Sequence, residues 1–265
     1  MEAELGQFLK RAGGSGASGR TGGSTPPRVD PAVAERLAAL GYVGGSGGAP
    51  VATGVDPKDR IGLANMLHDA VVAVEDGAYQ RAIPLLEQVT SREPGIPLAQ
   101  FQLGVARARQ RQYGRAIAPL TRAAALQPHD MRAHYELGLA LYETGDLKGA
   151  AAQFSIVAAK RPEWADARYS LGSVYARIDR VPDAIAELRA AIDLEPRHFR
   201  ANLLLGRILT LQGGAAAAIA HLRTAVEAQP SAREAHEFLA DAYEKAGNGA
   251  EAARERQRAQ ALVKR

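Results

Sequence analysis

The stretch MRAHYELGLALYETGDLKGAAAQFSIVAAKRPEW, residues 131–164, holds one complete structural unit. Tyr135, Leu137, Leu141 and Tyr142 recur at helical spacing over 131–144, Gly145-Asp146 interrupts the run, and Leu147, Ala150, Ala151, Phe154, Val157 and Ala158 resume it over 147–160. Pro162 closes the second run, because proline lacks the N–H that a continuing turn needs and restricts the residue before it. The stretch predicts two antiparallel helices followed by a reversal of the chain.

The same unit recurs on both sides without insertion. Pro94, Pro128, Pro162, Pro196 and Pro230 stand 34 residues apart, and so do Ala82, Ala116, Ala150, Ala184, Ala218 and Ala252. In phase with them run Leu103-Gly104, Leu137-Gly138, Leu171-Gly172 and Leu205-Gly206, with Leu239-Ala240 as the last version. A fixed period of this length indicates stacked supersecondary units rather than a catalytic globule. Small residues where two helices cross let the backbones approach closely, and Leu120, Phe154, Leu188 and Leu222 fill the space beside them. First helices are expected at 63–76, 97–110, 131–144, 165–178, 199–212 and 233–246, and second helices at 79–92, 113–126, 147–160, 181–194, 215–228 and 249–262.

This pattern resembles the tetratricopeptide repeat family. The matching residues are the Leu-Gly pair, Tyr175 and Tyr243 one turn later, the alanine opening the second helix, the small residues Ala123, Ala191, Ala225 and Ala259, and the terminal proline. Copy one departs at Asp69-Ala70 and Val89, and copy six carries Arg256 at an apolar position; end copies diverge because one side has no neighbour. The resemblance implies an all-α fold, an α-solenoid of about six helical hairpins forming a right-handed superhelix. Residues 57–265 are expected to form the repeat domain, with copies near 63–96, 97–130, 131–164, 165–198, 199–232 and 233–265.

It also implies a working surface. First helices would line the inner wall, giving Leu98, Phe101, Val105 and Arg109; Arg132, Tyr135, Leu139, Tyr142 and Glu143; Asp166, Tyr169, Ser173 and Arg177; then Arg200, Leu203, Arg207 and Leu211. From these, Phe101, Arg109, Arg132, Tyr135, Tyr142, Tyr169, Arg177 and Arg207 are the candidate peptide-binding residues. Aromatic rings bring apolar area at little entropic cost, and guanidinium groups offer rigid donors to carboxylates or peptide carbonyls. The competing reading is that the tyrosines simply cover the wall and the arginines are solvated. Glu234, Glu237, Asp241 and Glu244 make the last copy acidic on the same wall, which would orient a bipolar ligand or keep the end soluble. The ninth positions, Val71, Val105, Leu139, Ser173, Arg207 and Asp241, lack the asparagine of chaperone-binding repeats.

Residues 1–56 are of different composition. Short helices are expected at Glu2–Arg11 and Pro31–Leu40, the latter capped by Asp30 and ended at Gly41, within an otherwise flexible region rich in glycine, serine and proline. Asp56-Pro57 restarts helix through Ile61, Leu63, Met66 and Leu67, extending the first repeat helix backward. Val29-Asp30-Pro31 through Glu35 to Gly45 resembles the C-terminal end of bacterial sulfatase-type catalytic domains of the alkaline phosphatase superfamily. That resemblance implies an accessory role for the repeats beside a catalytic domain. The family's formylglycine chemistry is not expected in this chain, which has no cysteine and whose Ser24-Thr25-Pro26-Pro27-Arg28 lies in a glycine- and serine-rich tract.

Composition fits a scaffold. Of 265 residues 46% are hydrophobic, and 33 basic against 29 acidic side chains leave a net charge of +4, which argues against a dedicated nucleic-acid binder. Six histidines scattered over different units and unpaired carboxylates suggest no metal, no cofactor and no general acid–base pair. No signal-like segment or run of ~20 apolar residues is present, so a membrane span is not expected. The location defaults to cytoplasmic, or to periplasmic or exported if the chain is part of a sulfatase-like parent. Two functions stay open: a noncatalytic scaffold binding a peptide segment of a partner protein, and an accessory region that positions or oligomerises a sulfatase-like hydrolase.

Overall fold

The structure is a computed structural model that describes residues 57–263, with side chains from Ile61 onward. The expected N-terminal helices, the glycine-rich linker and the sulfatase-like segment lie outside the described residues. Those described form twelve helices and no strand: α1 (Pro57–Glu75), α2 (Tyr79–Arg92), α3 (Pro97–Arg109), α4 (Tyr113–Leu126), α5 (Met131–Thr144), α6 (Leu147–Lys160), α7 (Ala165–Arg177), α8 (Val181–Leu194), α9 (Phe199–Leu211), α10 (Ala215–Ala228), α11 (Arg233–Lys245) and α12 (Gly249–Val263). The first helix starts six residues before position 63, where Pro57 sets the first turn at no hydrogen-bond cost.

Each helix packs on its chain neighbours, so the hairpins α1–α2 to α11–α12 form a linear stack. Successive first helices also touch one another directly, as α3 touches α5 and α9 touches α11, whereas successive second helices do so to no comparable extent. Closer spacing on one side bends the stack toward the first helices and makes theirs the concave face.

The repeat alanines that open the second helices are buried in every copy, from Ala82 at 0% to Ala252 at 1% exposure. The glycines meet the large side chains head on. A Cβ at Gly138 would lie 2.7 Å from the Phe154 ring, and at Gly104 and Gly206 it would lie 2.4 Å and 2.5 Å from Leu120 and Leu222. Glycine is therefore required for the helices of a hairpin to close on each other. The turn inside each hairpin has its own marker: Gly77, Gly145, Gly213 and Gly247 adopt positive φ, and Arg111 (φ 59°) and Asp179 (φ 61°) occupy the same place in copies two and four.

A polar node joins consecutive copies. The fourth residue of a first helix reaches back to the proline carbonyl that ended the previous copy: Gln100 Nε2 donates to Pro94, Asn202 Nδ2 to Pro196 and Arg168 Nε to Pro162, at 3.0, 3.0 and 3.2 Å. The same side chain also bonds its own second helix, as in His134–Gln153 (2.8 Å), Arg168–Glu187 (3.0 Å) and His221–Asn202 (3.0 Å). In the last copy His236 lies 3.0 Å from the Pro230 carbonyl and 2.6 Å from Glu255, and both side chains are buried. His134 and His236 share a position that bonds the second helix of its own copy, and His236 also reaches the preceding copy.

Pro119 stands where the second-helix partner of Gln100 would be, and it is buried within α4 without ending it. Having no N–H, it leaves the Arg115 carbonyl four residues back without its helical donor. Arg107 Nη1 donates to that carbonyl at 2.9 Å while Nη2 pairs with Glu87 at 2.7 Å, so a side chain of α3 repairs α4 and ties it to α2.

Candidate functional site

The concave wall is built from the first helices because their second, fifth, ninth and twelfth residues share one face at helical spacing. Phe101, Tyr135, Tyr142 and Tyr169 all lie on it and are half-buried, while Arg109, Arg132, Arg177 and Arg207 are exposed. The eight side chains do different work.

Tyr135 is engaged on every side. Its ring stacks on Trp164 at 4.7 Å, tilts against Phe154 at 5.6 Å, and its hydroxyl shares a hydrogen bond with the buried Ser170 at 3.3 Å. Burial pushes its hydroxyl pKa above the ordinary tyrosine value. These contacts fasten α5 to α7 and engage the ring and its hydroxyl within the chain, which favours the packing reading for this residue. Tyr175 likewise packs in the core between copies and carries Arg180 on its ring.

Arg109 and Arg132 spend their charge within the chain. Arg109 Nη2 donates to Glu136 at 2.9 Å. Arg132 makes a two-point contact with Asp130 at 2.9 and 2.7 Å, and Asp130 also caps α5 through the Arg132 N–H at 3.1 Å. The Arg132 guanidinium holds the Asp130 carboxyl below the usual aspartate range. Arg132 also lies over the Phe101 ring at 5.4 Å.

The centre of the wall is different. Arg177 lies 4.5 Å over the Tyr142 ring, Arg200 5.8 Å over Tyr169, and Arg207 5.3 Å over Phe238, each resting on an aromatic side chain of an adjacent copy. Cation–π contacts of this kind hold a guanidinium in place without neutralising it. The hydroxyls of Tyr142 and Ser173 share a hydrogen bond at 3.1 Å, and burial pushes the Tyr169 hydroxyl pKa up. Between them opens a cleft of about 150 Å³ lined by Leu139, Tyr142, Glu143, Tyr169, Ser173 and Arg200, with Phe154 and Ser170 at its floor. Beside it His198 caps α9, its Nδ1 accepting from the Ala201 N–H at 3.1 Å while Nε2 donates to Asp166 at 3.2 Å.

Tyr142, Tyr169, Arg177 and Arg207 are therefore brought together along α5, α7 and α9, whereas Phe101 and Arg109 belong to an earlier stretch of wall. Arg200 stands out beyond the eight. Its signal was a spacing: it follows Tyr169 by 31 residues, as Arg132 follows Phe101. Ser170 and Phe238 carry no comparable mark, because their partners lie one copy away. The described residues hold no cluster of three or more potential metal ligands, and no helix among them is long and apolar enough to cross a membrane.

A family model described as tetratricopeptide repeat matches residues 70–130, 101–163, 135–196, 169–219 and 212–263. Several solved structures share the fold. A tetratricopeptide repeat protein from Parabacteroides merdae is 19% identical, with 73% of this chain and 77% of that one covered and a TM-score of 0.62. MamA from Desulfovibrio magneticus (residue 41 to the end) is 24% identical over 64% of this chain and 96% of its own, with a TM-score of 0.59. YrrB, described as a repeat protein of this kind with an unusual peptide-binding site, is 19% identical over 67% and 91%, with a TM-score of 0.55. No curated protein matches the chain.

Proposed function

The chain belongs to the tetratricopeptide repeat family, and from that premise we propose that it is a noncatalytic scaffold that binds a peptide segment of a partner protein on the concave wall of α3, α5, α7 and α9. The observation that carries this reading is the cleft of Tyr142, Tyr169, Ser173 and Arg200, where half-buried rings stand beside exposed guanidinium and hydroxyl groups. Half-buried aromatics flanked by rigid donors are the composition of binding hot spots, and an extended or helical segment supplies both the apolar side chains and the backbone carbonyls they recognise. A repeat protein of the same fold has a peptide-binding site, which supports the assignment by likeness.

The test is selection of peptides from a random displayed library by the full chain, compared with the chain carrying Tyr142→Ala and Tyr169→Ala. Recovery of related sequences by the wild type, and their loss in the double variant with helical circular dichroism retained, is the expected result. Equal recovery by both proteins places the binding surface elsewhere.

A further inference from the structure

We propose that the centre of the concave wall selects an acidic segment, with Arg177, Arg200 and Arg207 as the residues that read its carboxylates. The inference rests on the groove reading above and goes beyond it in naming the chemistry of the partner.

The argument begins with which charges are already satisfied. Along the wall Arg109 is spent on Glu136 and Arg132 on Asp130, and Arg168 is held by Glu187 at 3.0 Å. Arg177, Arg200 and Arg207 make no ion pair among the described residues, yet they are not loose. Each rests on a ring, Tyr142, Tyr169 and Phe238 respectively, at 4.5 to 5.8 Å, and Arg177 Nη1 also reaches the Tyr142 carbonyl at 3.4 Å. An arginine resting on an aromatic face keeps its charge and loses little further entropy when an acceptor arrives. These side chains are preorganised donors with no carboxylate partner among the described residues.

Their surroundings favour an anionic partner over a neutral one. Helix α9, which carries Arg200 and Arg207, contains no acidic residue. On the neighbouring helices Glu143 is exposed, and Asp166 is bonded to His198. The carboxylates that could have met these arginines instead gather on α11, where Glu237 pairs with Arg233 and Asp241 with Lys245, at 2.9 and 3.4 Å. The bound segment would place its acidic side chains along α7 and α9, with an apolar or aromatic side chain in the cleft between Tyr142 and Tyr169. Ser173 and the tyrosine hydroxyls supply hydrogen bonds to its backbone.

A single-stranded nucleic acid also presents anions and flat rings, and is the rival partner. The net charge of only +4 and a cleft of about 150 Å³ favour a peptide over a polyanion that needs a long basic track.

The test uses the full chain and a random displayed peptide library, then the selected peptides as labelled synthetic probes in fluorescence anisotropy. The wild type is expected to enrich aspartate- and glutamate-containing sequences. Binding of those peptides should weaken by about tenfold or more in Arg177→Gln/Arg200→Gln/Arg207→Gln, since each charge-assisted hydrogen bond lost is a large fraction of such an affinity. It should change by no more than about twofold in Arg109→Gln/Arg132→Gln, and fall as salt rises. The three target arginines are exposed, so helical content should be unchanged; Arg177→Lys/Arg200→Lys/Arg207→Lys, which keeps the charge but loses the planar guanidinium and its ring contact, should recover only part of the binding lost in the glutamine variant. Enrichment of neutral or basic peptides, still abolished by Tyr142→Ala with Tyr169→Ala, overturns the acidic selectivity and leaves the groove reading standing. Failure of the wild type to enrich any peptide overturns both. A labelled single-stranded oligonucleotide that binds more tightly than the selected peptides, and displaces them, overturns the assignment of a protein partner.

Discussion

The fourth and fifth copies and the sixth solve the same wall in opposite ways. On α7 and α9 the guanidinium groups of Arg177, Arg200 and Arg207 rest on aromatic rings and pair with no carboxylate among the described residues. On α11 the charges face the same side but are consumed internally: Glu237 by Arg233, Asp241 by Lys245, and Glu244 by Arg256 of α12. Three of the four acidic residues expected to present a negative end are thus paired, which fits the reading of that end as solvated. In the proposed reading, charge left unpaired yet held in place marks the part of the solenoid directed at another molecule.

The polar nodes at the fourth residue also differ between copies. In copies three and five they pair an imidazole with an amide, His134–Gln153 and Asn202–His221, and in copy four Arg168 pairs with Glu187, whereas in copy six the buried Glu255 carboxylate lies 2.6 Å from His236 and accepts from Arg258 at 2.7 Å. Removing one partner of a buried charged contact strands the other without compensation. His236→Ala is therefore expected to cost about 2–3 kcal/mol and to speed amide exchange throughout α12, while His134→Ala costs about 1 kcal/mol with exchange faster only near α6. Equal effects at both sites would remove the distinction between the joints.

The crossing point sharpens the same contrast at smaller cost. Gly138 faces the rigid ring of Phe154, whereas in copy six Ala240 stands at the glycine position and Arg256, half-exposed and paired with Glu244, at that of Phe154. Gly138→Ala should destabilise the chain by about 1–3 kcal/mol through overpacking, and Ala240→Gly by no more than about 1 kcal/mol, read from urea unfolding. The smallest effect is a gain. Arg111 and Asp179 hold the left-handed turn that glycine holds at Gly145 and Gly247. Arg111→Gly or Asp179→Gly should raise stability by about 0.5–1 kcal/mol, visible as a higher urea midpoint, while Gly247→Ala lowers it.

Most of the fold is legible in sequence because the determining residues are repeated and local. The terminal prolines, the buried alanines and the glycines at each crossing recur with one period, and each acts through its own backbone or a neighbour in the same hairpin. The joint at the fourth residue is harder to see. Gln100, Arg168, Asn202 and His236 share a geometry but no chemistry type, since any side chain with a donor and the right reach can bond a proline carbonyl. The site is legible only as a wall. Which arginines are spent depends on Asp130 and Glu136, and which rings are covered depends on Trp164 and Ser170, partners that lie on another element or another copy. Tyr135 and Tyr142 look alike in sequence for that reason, and only the second borders the cleft.

Hydrogen exchange of the full chain, with and without a peptide selected by it, tests the central claim most directly. Protection confined to α5, α7 and α9, centred on Tyr142, Tyr169 and Arg200, is the result predicted for a segment bound on the concave wall. Protection confined to the second helices α4, α6, α8 and α10 would contradict it.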